Sequence, residues 1–293
     1  MIKFKILIPV YNDWESLVKL LEKIDFEISN IKAKFSILVV DDASTADMPS
    51  SFSNYKNIDA INILKMKNNQ GPNRANASGI MYLSKNPDFD YLILMDGDGE
   101  DRPEELKTLT ELALKGESIS VVAKRVKRSE PSLFQVLYRL HKLLTLIFTG
   151  KHMNFGHYSC LTKKDLIMIS SKKDLWCNFS GTVKKYVKAL NSINSIRGFR
   201  YAGQSKVPIF NLIIHSFSII AVFKYQVLFR SILFFLIMFL PLQELPFLTV
   251  FSQLLLVIFT SIIFIVSRKS NMEELTNSVN NIKERTNIHA RRL

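Results

Sequence analysis

Cysteine is nearly absent: Cys160 and Cys177 are the two in 293 residues. Their separation fits no metal or redox spacing and makes no disulfide framework, so a reducing compartment is expected. A secretory pattern is lacking too. Residues 1–10 form a short run that turns from alternating to apolar around Pro9, with no small-residue cleavage site. Internal repeats and low-complexity tracts are missing, which leaves one sizeable folded unit plus an appendage as the organisation expected at this length. Acidic residues are scarce: 26 Asp and Glu face 39 Lys and Arg, for a net charge of +13.

The basic excess is concentrated. Residues 115–206 hold 18 Lys and Arg against 4 Asp and Glu, a balance of +14. Such a block faces nucleic acid, an anionic membrane surface or phosphorylated substrates. The apolar runs that follow it point to a membrane surface or a lipid phosphate, and away from nucleic acid. Mean hydropathy is +0.11, high for a soluble chain. Residues 247–267 are uncharged and strongly apolar, which meets the roughly 20 residues a membrane-spanning helix needs. Residues 225–245 make a second span if Arg230 snorkels to the interface, with 243–246 as the turn between two antiparallel helices; the alternative is a buried or re-entrant helix. Arg268 and Lys269 follow the second span and the turn has no basic residue, so the large domain and the tail are both expected in the cytoplasm.

Upstream, apolar runs at 3–11, 35–42, 61–66, 90–98 and 118–125 read as strands, and helical spacing at 15–29, 73–83 and 103–114 fills the gaps. Strands separated by helices imply an α/β domain with a mainly parallel sheet flanked by helices. Ligands of such sheets bind at the carboxyl ends of the strands, where Asp41, Asp42, Asp96, Asp98 and Arg125 fall. Residues 133–148 form an amphipathic helix that packs on the domain or lies in the membrane interface. The division expected is a cytoplasmic α/β domain at 1–206, an amphipathic interfacial segment at 207–226, two transmembrane helices at 227–267 and a polar cytoplasmic tail, helical or frayed, at 268–293.

Asp96-Gly97-Asp98-Gly99-Glu100-Asp101 closes an apolar strand. Hard divalent cations take carboxylate oxygen, and Mg²⁺ uses one or two protein carboxylates plus substrate phosphates. If the strand runs on to Asp98, Asp96 and Asp98 share a face. The pair can then hold Mg²⁺ or Mn²⁺ against a diphosphate, where the metal neutralises charge on the leaving group. The alternative is a solvated acidic turn. Asp41 or Asp42 can accept from a base N–H or ribose hydroxyls, or form an Asx-turn. Tyr11, between Pro9 and Asp13, can lie near a base. Gly71 precedes a helix N-terminus, a place for an anion; the alternative is a helix entry with Gly79 packed on the sheet.

In this order and spacing, the four elements closely resemble the family 2 inverting glycosyltransferases over about residues 3–128. The resemblance implies the A-type glycosyltransferase fold and a nucleotide-sugar donor. It implies that Pro9, Tyr11, Asp13 and Asp41 or Asp42 hold the nucleoside, while Asp96 and Asp98 hold metal and diphosphate. Glutamate is usual at position 13 in that family, and Asp13 is a shortened version. A narrower resemblance is to the dolichyl- and polyprenyl-phosphate sugar synthases, whose metal loop reads approximately D-A-D-L-Q-D followed by proline and glutamate. Here D-G-D-G-E-D-R-P-E matches, with Glu100 as a further ligand. The 121–128 strand with its basic pair and the R-x-x-G-x-S-K segment at 200–206 also match. They imply that Arg125, Arg128, Arg200 and Lys206 hold the acceptor's lipid phosphate, which suits the Arg fork and the Lys point charge. The alternative is attraction to anionic headgroups.

Two departures bear on chemistry. The family's middle motif often has an acidic residue before F-R-L, whereas 156–161 has His157 there and no arginine. A phosphate acceptor is largely ionised near neutral pH and attacks without a base; a hydroxyl would need one, with His157 as the candidate. The Q-x-x-R-W segment of processive polysaccharide synthases is absent, which argues against elongation through a pore. The expectation is a multi-pass membrane enzyme that makes an inverting, metal-dependent transfer to a polyprenyl-phosphate-type acceptor, with Asp98, Arg125 and His157 in catalytic roles and homo-oligomerisation left open. A transferase for a sugar or lipid hydroxyl and a catalytically silent membrane scaffold stand against it; the intact acidic pair speaks against the scaffold.

Overall fold

The computed structural model describes residues 1–50, 52, 54–115, 119–127, 132–203, 209–240 and 244–290. Strands β1 (Lys3–Val10), β2 (Lys34–Asp41), β3 (Ile58–Met66), β4 (Tyr91–Leu94), β5 (Ser120–Lys127), β6 (Phe155–Thr162), β7 (Leu190–Ile196) and β8 (Ile282–Ala290) form one sheet, in the order β7-β5-β6-β4-β1-β2-β3-β8. Pairs β1–β2, β1–β4, β2–β3 and β5–β7 are parallel. β6 runs antiparallel to β4 and β5, and β8 antiparallel to β3.

Alternation along β1 sets the two layers. Phe4, Ile6 and Ile8 join a core with Leu17, Leu20 and Ile24 of α1 (Trp14–Glu27) and Leu106 and Leu109 of α3 (Leu106–Lys115). Leu7 faces the other core, built by α2 (Pro72–Lys85), α5 (Lys163–Ser170), α6 (Asp174–Cys177), α7 (Phe179–Tyr186) and α11 (Met272–Asn277). Each fully buried large aliphatic contributes about 1.5–3 kcal/mol, so the three-layer packing fixes where the strand ends emerge.

Two expectations change here. β4 stops at Leu94 instead of running to Asp98. Met95 N–H still reaches Leu7 O at 3.2 Å, but β6 pairs only through Leu94, and the acidic residues sit in a loop. Residues 268–290 are not frayed. Asn271 caps α11 by accepting the N–H groups of Glu273 and Glu274, Glu274 accepts Trp176 Nε1–H at 2.7 Å, and β8 closes the sheet edge beside β3.

α4 (Ser132–Thr149), α8 (Ile209–Ala221), α9 (Lys224–Ile237) and α10 (Pro246–Ser267) share a third core that includes Phe148, Ile220, Val227, Leu256 and Ile263. Phe148 packs on Phe234 and Phe259, with centroids 5.7 and 4.5 Å away. The end of α4 is thus tied to the apolar helices, while Val136, Leu137, Leu140 and Leu143 stay exposed. Among the described residues one helix is long and apolar enough to cross a membrane. It contains α10, whose 22 residues extend about 33 Å. Its Phe247, Leu248, Phe251, Leu254 and Leu255 are exposed, a face that water does not favour. α8 and α9 meet at an 85° bend, and α9 alone, 14 residues, covers about 21 Å of a roughly 30 Å hydrocarbon core. Arg230 on α9 faces the end of α4 and donates to Ile147 O at 2.8 Å.

Candidate active site

The carboxyl ends of β1, β2 and β4 lie side by side, and their loops make the floor of the site. After β1, Asn12 takes a left-handed conformation, φ 52°. Its side-chain oxygen accepts the N–H groups of Thr45 and Ala46, each at 2.8 Å, and its own N–H donates to Ser44 Oγ at 2.9 Å. Trp14 Nε1 adds a bond to Ala46 O at 3.1 Å. These bonds lock the β1 loop to the β2 loop. Tyr11, 41% exposed, stands at the rim.

Asp41 and Asp42 are buried. One Asp41 oxygen accepts the Ser44 N–H at 2.8 Å, the Asx-turn alternative. Both Asp42 oxygens are taken, by the N–H groups of Gln70 and Gly71 at 2.9 and 2.7 Å. Asp42 therefore clamps the turn at Gly71 (φ 86°) that opens α2, and among the described residues Asp41 is the one of the two with a single carboxylate oxygen engaged. Burial pushes Asp42 up to about 6, against the pull of its two amide partners.

The acidic loop is built around Asp101, a buried carboxylate that accepts the Asp96 N–H at 2.9 Å. Asp98 Oδ1 accepts the Glu100 N–H at 3.0 Å. Its Oδ2 lies 2.5 Å from Arg200 Nη1, and the same guanidinium pairs with Asp13. Glu100 pairs with Arg197. The 197–203 segment lies across the loop: Gly198 N–H donates to Glu100 O at 2.8 Å and Tyr201 N–H to Asp98 O at 3.0 Å. Gly99 has φ 87°, and a Cβ there would stand 2.6 Å from the Tyr201 ring, so the position needs glycine for both backbone and space. A cavity of about 160 Å³ opens beside this strap, lined by Asn12, Asp13, Trp14 and Arg200 among others.

On the other side, Arg125 Nη2 is 3.7 Å from Asp101 Oδ1. A Cβ on Gly156 would lie 2.9 Å from that nitrogen, so Gly156 makes the room Arg125 occupies. His157 Nδ1 is 3.3 Å from Asp96 Oδ1. The rings of Phe179 and of His215, on α8, lie 5.8 and 6.3 Å from the His157 ring.

Charges in the loop are unevenly balanced. Burial and then the negative charges of Asp96 and Glu100 push Asp98 up to about 7, with Arg200 opposing. Burial and Asp96 push Asp101 up to about 6, with Arg125 opposing. For Asp96 burial acts in the same sense, but the hydrogen bond and charge of His157, then Arg125 and Arg197, outweigh it and hold the carboxyl well below the usual range. A carboxyl raised by its neighbours marks a place short of positive charge. Asp96 and Asp98 therefore fit a divalent cation that also takes diphosphate oxygens. Glu100 is paired with Arg197, as Asp98 is with Arg200. Among the described residues no group of three His, Cys, Asp or Glu side chains converges on a metal position.

The structure thus brings Asp13, Asp96, Asp98, Asp101, Glu100, Arg125, Arg200 and His157 into one neighbourhood. It sets Arg200 on the carboxylates of Asp13 and Asp98. Arg128 and Lys206 lie outside the described residues. Asn12, Asp101, Arg197 and His215 were not anticipated. Arg197, three residues before Arg200, and Asp101, inside the acidic run, were visible as charges; nothing in the apolar run around His215 marked it.

The same architecture occurs in solved sugar transferases of the A-type fold. The crystal structure of glucosyl-3-phosphoglycerate synthase from Mycobacterium tuberculosis, in complex with Mn²⁺, UDP-glucose and phosphoglyceric acid, superposes with a TM-score of 0.53 over 77% of this chain and 79% of that one, at 14% identity. Residues 5–179 match the model of glycosyl transferase family 2, and the chain belongs to that family. Among curated relatives, the undecaprenyl-phosphate 4-deoxy-4-formamido-L-arabinose transferase of Proteus mirabilis is 28% identical over 162 residues, covering 55% of this chain and 48% of the relative. That of Salmonella choleraesuis is 30% identical over 165 residues with the same coverage. The chain spans about half the length of the curated relatives it matches.

Proposed function

We propose that the protein transfers a sugar, with inversion, from a nucleotide-diphosphate donor to a membrane-embedded polyprenyl-phosphate-type acceptor. The observation that carries this is the Asp96–Asp98 pair at the strand ends, fronted by Arg125, Arg197 and Arg200, at a mouth shared with His215 of the amphipathic helix α8. The curated relatives, named for undecaprenyl phosphate, support the acceptor class. Asp96 and Asp98 would hold Mg²⁺ or Mn²⁺, which when bound supplies positive charge to the departing diphosphate.

The chain's own groups divide the remaining work. Asp41 and Tyr11 sit where a nucleoside would lie. Arg200 is a cation that exchanges its carboxylate partners for diphosphate oxygens. The acceptor phosphate oxygen forms the new bond to the anomeric carbon as the bond to the diphosphate oxygen breaks, and that electron pair leaves with the nucleotide. Arg125 orients the incoming phosphate. No base is required, because the acceptor arrives ionised. The His157–Asp96 contact favours a second reading, transfer to a hydroxyl with His157 as the base.

The test is turnover of a nucleotide-sugar panel by the full chain with Mn²⁺, offered polyprenyl phosphate or a sugar acceptor. Product on polyprenyl phosphate that disappears in EDTA is expected. Near-full activity in EDTA removes the metal, and preference for the sugar selects the hydroxyl reading.

The catalytic domain and the C-terminal strand belong on the same side of the membrane, the cytoplasmic one, with α10 and the 224–245 region as two crossings. The support is topological. β8 is hydrogen-bonded to β3, so the chain must leave and re-enter one compartment, which requires an even number of crossings. Arg268 and Lys269 after α10 favour the cytoplasm. A reporter fused after Leu293 and one inserted near Glu244 are expected on opposite sides; the same side for both overturns the two-span arrangement.

A further inference from the structure

A cavity of about 410 Å³ opens between the end of α4 and the start of α9, lined by Thr149, Tyr225, Gln226, Phe229 and Arg230. It shares no lining residue with the active site. We propose that this cavity binds the phosphate of an anionic membrane phospholipid, with Arg230 as its principal ligand.

Four observations meet there. Arg230 carries five N–H donors in a fixed fork, and among the described residues one is engaged, by Ile147 O. The guanidinium is held against Gly150, where a Cβ would stand 2.6 Å from Nη2, so its position is set by packing and its other donors remain for an anion. Further positive charge flanks it. Lys151 follows Gly150 and is exposed, and Lys224 begins α9 with its ammonium 5.3 Å from the Tyr225 ring centre. No acidic residue lines the cavity. Finally, Tyr225 and Phe229 are exposed on the helix that enters the apolar layer, one turn apart, and Tyr with Lys at a helix end marks the headgroup level. A headgroup there meets Arg230 and Gln226 with its phosphate and the two rings with its glycerol and first methylenes. An arginine fork suits a phosphate.

The inference rests on the membrane reading above, so the experiment separates the two. The full chain in detergent is examined by native mass spectrometry with phosphatidylglycerol or phosphatidylcholine, and in parallel by flotation on vesicles of neutral lipid. Wild type is expected to float and to retain phosphatidylglycerol over phosphatidylcholine. Arg230→Gln should lose that preference by about tenfold or more, while Arg230→Lys keeps part of it. Because Arg230→Gln also removes the bond to Ile147, Gln226→Trp provides the second variant; it fills the cavity, spares that bond and should also abolish retention. Floating protein with no preference between the two lipids, or full retention by Gln226→Trp, overturns the headgroup site alone. Wild type that does not float overturns the membrane reading and the site with it. Displacement of phosphatidylglycerol by polyprenyl phosphate, with a raised acceptor KM in Arg230→Gln, would assign the cavity to the acceptor and overturn the proposal as stated.

Discussion

Replacing Arg200 by alanine should change metal and donor binding in opposite directions. In the ligand-free site its guanidinium bridges Asp13 and Asp98, with the Arg200 and Asp98 side chains only 19% and 16% exposed. A cation bound by Asp98 must displace it. A charge-assisted hydrogen bond of this kind is worth about 1.5–3 kcal/mol, so Arg200→Ala should tighten Mn²⁺ alone by roughly ten- to a hundredfold. The titration belongs in mildly alkaline buffer, because Asp98 is already pushed up to about 7 and rises further without its arginine. Once donor is present, the guanidinium is needed on the diphosphate, and the nucleotide–metal complex should bind about tenfold more weakly. Electron paramagnetic resonance of free Mn²⁺ gives the first constant and nucleotide calorimetry the second. Unchanged or weaker Mn²⁺ binding in the variant refutes the competition. Loss confined to acceptor use would return Arg200 to the lipid phosphate.

Asp98→Ala should lower turnover by about a hundred- to a thousandfold with an unchanged melting transition; activity within a few-fold of wild type would rule out Asp98 as a metal ligand. His215→Ala should raise the acceptor KM several-fold and leave donor affinity alone, and an equal effect on both would make His215 a packing residue. Asp42 supplies a pH test. Its folded value, about 6, lies above the ordinary 3.8, so the fold binds this proton more tightly than the unfolded chain, and its contribution to stability falls as pH rises between those values. Asp42→Asn should flatten that limb of the stability profile in thermal melts; an unaltered slope shows that Asp42 is not its source.

Much of the donor half was legible in the sequence because it is local. A continuous apolar strand followed by carboxylates encodes both a buried parallel strand and a ligand at its end, and Asp41, Asp96 and Asp98 emerge where that pattern puts them. The extent of β4 was misjudged because Met95 is apolar and buried, while the end of pairing is decided by β6, whose partner choice is not local. β8 was missed for a related reason. Its polar alternation reads as a solvated tail, and it becomes a strand because α11 anchors it through Glu274 to Trp176 and Arg74. His215 was out of reach: its role depends on an 85° bend and on which face of α8 meets His157.

Within the basic block at 115–206, three arginines at the site and a group of lysines away from it take different places. Arg125, Arg197 and Arg200 face inward onto Asp101, Glu100, Asp98 and Asp13. Guanidinium is planar, weakly hydrated and able to serve two carboxylates at once, so it is the cation that tolerates partial burial. Lysines such as Lys124, Lys151 and Lys184 instead lie near one another, and burial followed by the charges of Lys151 and Lys124 lowers the Lys184 pKa. Like charges held together gain from an external anion and lose nothing by meeting one. The inward arginines hold four carboxylates together; under the proposed function a metal–diphosphate complex would replace their charge, and the lysines would remain for an external anion. Arg→Lys substitutions inside should therefore damage transfer even though net charge is kept, whereas Lys→Arg substitutions outside should be neutral.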